Sequence, residues 1–223
     1  MNTQLIIYGA GDLAKLMSFY FHHDSAYRVA AFCVDRLPST GEQFADRPLV
    51  TFEDIERKYS PDEFDMFVAI GYSRMRDRRL MFDRAKKKGF SLANYVSSRA
   101  LFWPGLAIGE NNVLMPSVHV EPFVQIGHNN LFWSDTLVAH GVTVGDHNYF
   151  GAKCLLGGNS VIEDACFLGN GAVLINGVRL RLETQVFPGT TIYRTTKPYT
   201  KYLGNPAREF GSHVDTGIMI RRG

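Results

Sequence analysis

From Ile108 onward, every sixth position holds an aliphatic residue or phenylalanine. The row runs Ile108, Leu114, Val120, Ile126, Phe132, Val138, Val144, Phe150, Leu156, Ile162, Leu168, Leu174, Leu180, Val186 and Ile192, fifteen positions without an insertion. If about a third of residues are of these types, chance agreement is on the order of one in ten million. A period of six is neither the 3.6 of a helix nor the alternation of a simple strand. It suits a coil with three flat faces, one hexapeptide per face, whose large apolar residue points inward. Two positions before the row lie mostly smaller residues, among them Asn112, Thr136, Asn148, Cys154 and Cys166. Just after it, Gly109, Gly127, Gly145, Gly151, Gly157 and Gly169 are expected at corners that need a permissive backbone. Fifteen hexads make five triangular coils, a parallel β-helix roughly 24 Å tall at the usual strand spacing. Each coil buries its row only against its neighbours.

The first hundred residues have a different pattern. Gln4–Tyr8, Tyr27–Val34 and Asp65–Ile70 read as buried strands. Helical stretches are expected after Gly11 to about His22, from Phe52 to Lys58, and from Arg74 to Lys88 with Gly89 as its cap. Alternating strand and helix predicts a small α/β parallel sheet of Rossmann type, too short for a full dinucleotide fold. Trp103-Pro104-Gly105 is the expected junction. The division is therefore 1–102 for the Rossmann-like domain, 103–193 for the all-β helix and 194–223 for a tail that has lost the period.

Composition narrows the function. A formal charge of +2 in 223 residues gives no reason to expect nucleic acid or membrane as partner. No apolar run approaches the roughly 20 residues of a membrane span, and the N-terminus lacks the features of a signal peptide. Cys33, Cys154 and Cys166 are odd in number and without metal-ligand spacing, as expected of free thiols in a reducing cytoplasm. Cys154 and Cys166 fall on the small inward row and read as packing.

Gly9-Ala10-Gly11 between strand and helix exposes backbone N–H groups at a positive helix end, a candidate phosphate site; its other reading is a tight turn. Asp35 ends the second strand, where an acid meets a ribose or base, and is equally readable as a loop acid. Gly71 closes the third strand, and Arg76 follows closely enough to approach a diphosphate. The rest of the basic run from Arg74 to Lys88 reads as a solvated helix face. A neutral histidine suits general-base catalysis near neutral pH, and His140 on the repeat is one of four there, with His119, His128 and His147. Three histidines on a prism also suggest zinc, but the His140–His147 spacing argues against it and no metal is expected.

The chain resembles the NeuD/PglD-like bacterial sugar O- and N-acetyltransferases. The matching pieces are Tyr8-Gly9-Ala10-Gly11-Asp12-Leu13-Ala14-Lys15, Val34-Asp35, Ala69-Ile70-Gly71-Tyr72-Ser73-Arg74-Met75-Arg76, the hexapeptide repeats, and Tyr202-Leu203-Gly204-Asn205-Pro206-Ala207-Arg208. The resemblance implies a left-handed β-helix and a homotrimer with acetyl-CoA in the groove between neighbouring prisms. It implies a nucleotide-linked sugar held by the N-terminal domain through Gly9, Gly11, Asp35, Gly71 and Arg76. It makes His140 the general base, and puts the Gly158 N–H and Tyr149 on the acetyl-CoA side. Gly141 stands where the family often has a glutamate that orients the base, and Tyr149 replaces a second histidine. Pro188 lacks an N–H that a glycine would offer. Asp135 and Asp146 are candidates for the missing orienting role.

These readings converge on a cytoplasmic, acetyl-CoA-dependent acetyltransferase acting on the amino group of a nucleotide-linked amino sugar. In this reading the amine attacks the thioester directly and no acyl-enzyme forms. Two alternatives stand beside it: a sugar O-acetyltransferase, and a non-catalytic trimeric scaffold of the same fold.

Overall fold

The structure is a computed structural model that describes residues 3–39 and 41–220. Contacts divide it into two compact units, one of residues 1–71 and 80–95, the other of 72–79 and 96–223. The expected division at 102/103 lies elsewhere than this one.

The first unit is a five-stranded sheet. Strand β1 (Thr3–Tyr8) runs into helix α1 (Asp12–His23), then β2 (Tyr27–Val34), the hairpin β3 (Gln43–Phe44) and β4 (Arg47–Thr51), helix α2 (Ile55–Lys58) and β5 (Phe64–Val68). The order is β3-β4-β2-β1-β5, parallel except for the β3–β4 hairpin. Leu5, Ile6 and Ile7 are fully buried because both faces of this interior strand are covered. Strand β4 escaped the sequence reading: only Leu49 and Val50 are apolar in it and Pro48 interrupts, so it becomes a strand through pairing with Phe32–Val34. Helix α3 (Met75–Lys87) starts in the second unit and continues in the first.

The second unit is the prism. Two-residue strands recur every six residues from β6 (Tyr95–Val96) and β7 (Leu101–Phe102) to β22 (Thr191–Ile192). They stack in three parallel sheets with partners 18 residues apart, as in His119↔Leu137 and Leu137↔Leu155. The fold is thus an α/β domain joined to a parallel β-helix of the left-handed hexapeptide kind. The row from Leu114 to Ile192 is buried throughout, and so is the small row from Asn112 to Thr196. Cys154 and Cys166 lie in that small row, and burial pushes the Cys154 thiol up to about 12.

The glycines after the apolar row serve another purpose than the expected one. Positive φ falls two positions later, at Asn111, Ser117, Phe123, Asn129, Asp135, Gly141, His147, Lys153 and Asn159. Gly109, Gly127 and Gly157 sit instead where the next coil's backbone comes close. A Cβ at Gly157 would lie 2.6 Å from the Leu174 oxygen and Ile175 carbonyl carbon. Coil spacing, not backbone freedom, excludes a side chain at these places.

The tail continues the stack. Strand β23 (Thr200–Leu203) pairs in parallel with β21 (Gln185–Val186), Tyr202 opposite Val186, so Tyr202 extends the apolar column after 16 residues instead of 18. Strand β24 (Arg208–Ser212) folds back antiparallel on β23. No helix among the described residues is long and apolar enough to cross a membrane.

Candidate active site

Eighteen residues per coil place positions 104, 122, 140, 158, 176 and 194 along one edge of the prism. His140 lies on that edge after β13 (Leu137–Val138) and is exposed. Its ring lies over the next coil: a Cβ on Gly158 would be 2.7 Å from His140 Nε2 and 2.8 Å from Cε1. Glycine at 158 is therefore what lets the imidazole rest there.

That glycine has a second effect. Corner N–H groups elsewhere donate to a side chain one coil later: His128 to Asp146 Oδ1, Asp146 to Asp164 Oδ1, Ala152 to Asn170 Oδ1. His140 has no such acceptor, because residue 158 has no side chain. Its N–H instead donates back to Glu121 Oε2, 2.7 Å away on the preceding coil. Glu121 escaped the sequence reading because it is 19 residues away; the coil length of 18 was the signal that would have found it. Gly141 has φ 68, and a Cβ there would meet the end of the Asn159 side chain, so a glutamate after His140 would need a left-handed backbone and a shifted Asn159. Asp146, one of the two acids considered as orienting partners, is instead committed to the corner ladder through the His128 N–H.

Two assignments on the prism change. The Gly158 N–H donates to Asn176 Oδ1 at 3.0 Å, so it is committed within the prism and is not a free donor for a thioester oxygen. Tyr149, on β15 (Tyr149–Phe150), belongs to a different sheet from β13. It is 7% exposed, stacks on Phe167 at 5.1 Å and meets Tyr72 at 4.9 Å. Burial raises its phenol well above the ordinary value. Within one chain, His140 and Tyr149 are not brought together.

Above His140, the same edge opens into a cleft of about 920 Å³ lined by Tyr193, Arg194, Tyr202, Pro206 and Arg208. Arg194 and Arg208 offer it two exposed guanidinium groups suited to phosphate, and the exposed Glu209 carboxylate lies beside them.

Arg76 is corrected. It is drawn away from any diphosphate by Glu183, with Nε 3.0 Å from Oε1, and by the carbonyls of Val214 (2.8 Å) and Asp215 (3.2 Å). It belongs to the second unit and clamps the C-terminal segment. His213 sits in the same clamp, 5% exposed, with Nε2 2.7 Å from the Glu183 carbonyl. Burial holds its pKa below the ordinary value, helped by Lys201 and Arg76 and opposed by Glu183. Below about pH 6.5 the unfolded chain takes up a proton that folded His213 resists. Its contribution is therefore present above that pH and is lost as pH falls through the folded value. Urea midpoints between pH 7.5 and 5 are expected to fall more steeply for the wild type than for His213→Gln; equal slopes would refute the assignment.

In the first unit, the turn after β1 gathers the remaining candidates. Gly9, with φ 132, donates its N–H to the Cys33 carbonyl at 2.9 Å, and a Cβ there would lie 2.9 Å from the Ala69 oxygen. It is needed for close approach of the strand ends. Gly11 is the N-cap of α1, makes no side-chain cap, and has open space around it, as does Gly71. Asp35 accepts from the Tyr8 hydroxyl at 2.6 Å and pairs with Arg84 at 2.9 and 3.0 Å. Arg84 holds the Asp35 carboxyl below the usual range, with Tyr8 assisting. Tyr8 stacks on Phe52 at 4.1 Å, and the Arg84 guanidinium lies 4.8 Å over Phe52. Arg84 is thus packed against the strand ends and does not lie on the solvated helix face expected for the basic run.

The PglD N-terminal domain family matches residues 4–81. No curated protein sequence matches the chain. Among solved structures, the acetyltransferase domain of PglB from Neisseria gonorrhoeae FA1090 is similar over 94% of this chain and 100% of its own, at 22% identity and TM-score 0.81. WeeI from Acinetobacter baumannii AYE is 23% identical over 93% and 100%, with TM-score 0.79. PerB from Caulobacter crescentus, solved with CoA and GDP-perosamine, is 24% identical over 95% and 99%, with TM-score 0.66. Residues 4–81 thus match the PglD N-terminal domain family, and the chain shares the two-part fold of these acetyltransferase structures.

Proposed function

We propose that the chain is an acetyl-CoA-dependent acetyltransferase whose acceptor is the amino group of a nucleotide-linked amino sugar. The observation that carries this reading is the exposed His140 ring resting over Gly158, on an edge that continues into the Tyr193–Arg194–Arg208 cleft. In the cleft, Arg194 and Arg208 receive the phosphates of the donor's nucleotide end, with the acyl group toward His140. PerB was solved with CoA and GDP-perosamine, and the PglB domain with acetyl coenzyme A; both share this fold.

The chemistry follows from the base. The neutral amine attacks the thioester carbonyl and forms the C–N bond. His140 takes the proton released from nitrogen. The tetrahedral intermediate collapses with cleavage of the C–S bond, and the proton on His140 goes to the departing thiolate. Amide and CoA thiol are the products. The nucleotide is held in the first unit, its phosphates at the open N-terminus of α1 around Gly11 and Gly71, and its ribose or base near Asp35. Since Asp35 is engaged by Arg84, the nucleotide binds there by joining or displacing that pair. The protein acts as a homotrimer with the donor between neighbouring prisms.

The test is thiol release from acetyl-CoA against UDP-, GDP- and dTDP-linked 3-amino and 4-amino sugars. Turnover with one of them, and none with the corresponding hydroxy sugar, supports N-acetylation over O-acetylation. Gly158→Ala adds a second check. The new Cβ meets the end of a side chain, so the imidazole moves and the fold survives. A fall of 10-fold or more in kcat with an unchanged melting temperature is expected. Full activity would mean the ring's place over residue 158 is irrelevant.

A further inference from the structure

Hydrogen bonds to both neighbouring coils fix the corner that carries His140. Ala139 N–H donates to the Leu156 oxygen at 3.0 Å, Asn159 N–H to the His140 oxygen at 2.9 Å, and Gly141 N–H to the Pro122 oxygen at 3.1 Å. These run between main chains, and the next coil repeats the pattern, with Gly157 N–H on the Leu174 oxygen and Gly177 N–H on the Gly158 oxygen. One further bond depends on a side chain: His140 N–H donates to Glu121 Oε2 at 2.7 Å. A carboxylate acceptor makes this a charge-assisted bond, stronger than one between main chains. The same column treats its other positions differently. Residue 122 is a proline with no N–H, and Gly158 N–H donates onward to Asn176 Oδ1. His140 stands between Ala139 and Gly141, so neither neighbour in the chain brings it a polar side chain.

We propose that Glu121 is a positioning residue: by holding the His140 main chain from the preceding coil, it fixes the imidazole in its place over Gly158. The inference rests on the acetyltransferase reading and adds the residue that keeps its base in register. No hydrogen bond among the described residues reaches the imidazole itself, so the ring's place follows from where its main chain is held. A general base must come within hydrogen-bond reach of the proton it takes, and a misplacement of about 1 Å can cost up to about 10² in rate. Glu163 supplies the comparison. It reaches forward 19 residues in the same way, to the Leu182 N–H at 2.9 Å, on a different edge of the prism. The bond is thus a device the prism uses more than once, and what sets Glu121 apart is the residue it holds.

Thiol release and NMR of the histidine-labelled protein test this together. The chain has seven histidines, so selective nitrogen labelling gives few amide signals, and His140→Ala identifies the one from residue 140. Glu121→Ala should move that amide proton upfield and speed its exchange with solvent. Glu121→Gln keeps an oxygen at the same reach and should leave it near the wild-type position. With the accepted amino sugar, Glu121→Ala should lower kcat about 10-fold at unchanged KM for acetyl-CoA, and Glu121→Gln should recover most of that loss. In a His140→Ala background, Glu121→Ala should lower the residual rate no further, because the group it positions is gone. Glu163→Ala, which frees the Leu182 N–H, should leave kcat alone. A His140 amide that does not respond to Glu121→Ala overturns the proposal. So does an equal loss of rate in both backgrounds, which would mean that Glu121 acts on something other than the base. A glutamine variant as slow as the alanine variant overturns it too, since charge and not position would then be at work. A wild type that releases no thiol while its His140 amide responds to Glu121 would remove the acetyltransferase reading, and the proposed role with it, and leave the bond standing.

Discussion

Replacing His140 by alanine is expected to lower thiol release with the accepted amino sugar by 10²-fold or more, the usual contribution of a general base. That is about 3 kcal/mol or more of barrier at 1.36 kcal/mol per decade. The side chain is exposed, and its residue's bond to Glu121 is made by the main-chain N–H, which alanine keeps. The melting temperature should therefore stay at the wild-type value, and loss of rate reports on chemistry alone. The effect should appear in kcat more than in KM for acetyl-CoA, because the imidazole removes a proton and does not bind the donor's distant end. Unchanged turnover would keep the enzyme and discard His140 as its base. Silence of the wild type against the whole sugar panel, with no binding of acetyl-CoA, would favour the non-catalytic scaffold.

Phe150→Ala is expected to have the largest effect on stability, about 3–5 kcal/mol. Phe150 is fully buried inside the prism and stacks on Phe132 with centroids 4.5 Å apart and planes at 14°. Leu168 follows on the next coil in register. Removing the ring leaves a void that the backbone cannot close, since each coil is held at strand spacing by bonds such as Gly151 N to Leu168 O at 2.8 Å. Each coil contacts only its neighbours, so the loss should spread along the stack as weakened coils on both sides of residue 150. Urea unfolding measures the total, and hydrogen exchange should show faster opening around residues 132–168 than near Tyr202. A loss below about 1 kcal/mol would mean that the prism relaxes around the gap.

The prism was legible because its repeat is local information written many times. Each inward position reports one requirement, to fill the triangular interior, and chance cannot meet it at every sixth residue. The glycines show the limit of such reading. Gly157 belongs to the row expected at permissive corners, and Gly141 does not. Only stacking reveals that Gly157 avoids the backbone of the next coil, whereas Gly141 takes a positive φ. The site behaves in the same way. His140 stood out as a residue type in a motif, but Glu121, Gly158 and Asn176 are its surroundings only because 18 residues make one coil.

Arg76 and Arg84 make the sharpest contrast. Both belong to one basic run on one helix, and sequence position favoured Arg76 for a phosphate. Glu183, Val214 and Asp215, more than 100 residues away in the chain, hold Arg76. Arg84, two turns further on, lies against Asp35, Tyr8 and Phe52. The sequence by itself determined the two-part architecture and the inward rows, because periodicity and strand-helix alternation are properties of neighbouring residues. Tertiary structure alone decided which glycines are steric and which conformational, which arginine reaches Asp35, and which carboxylate lies beside His140. Those outcomes depend on segments that meet only after folding, where a close approach or an ion pair is set by distance in space and not along the chain.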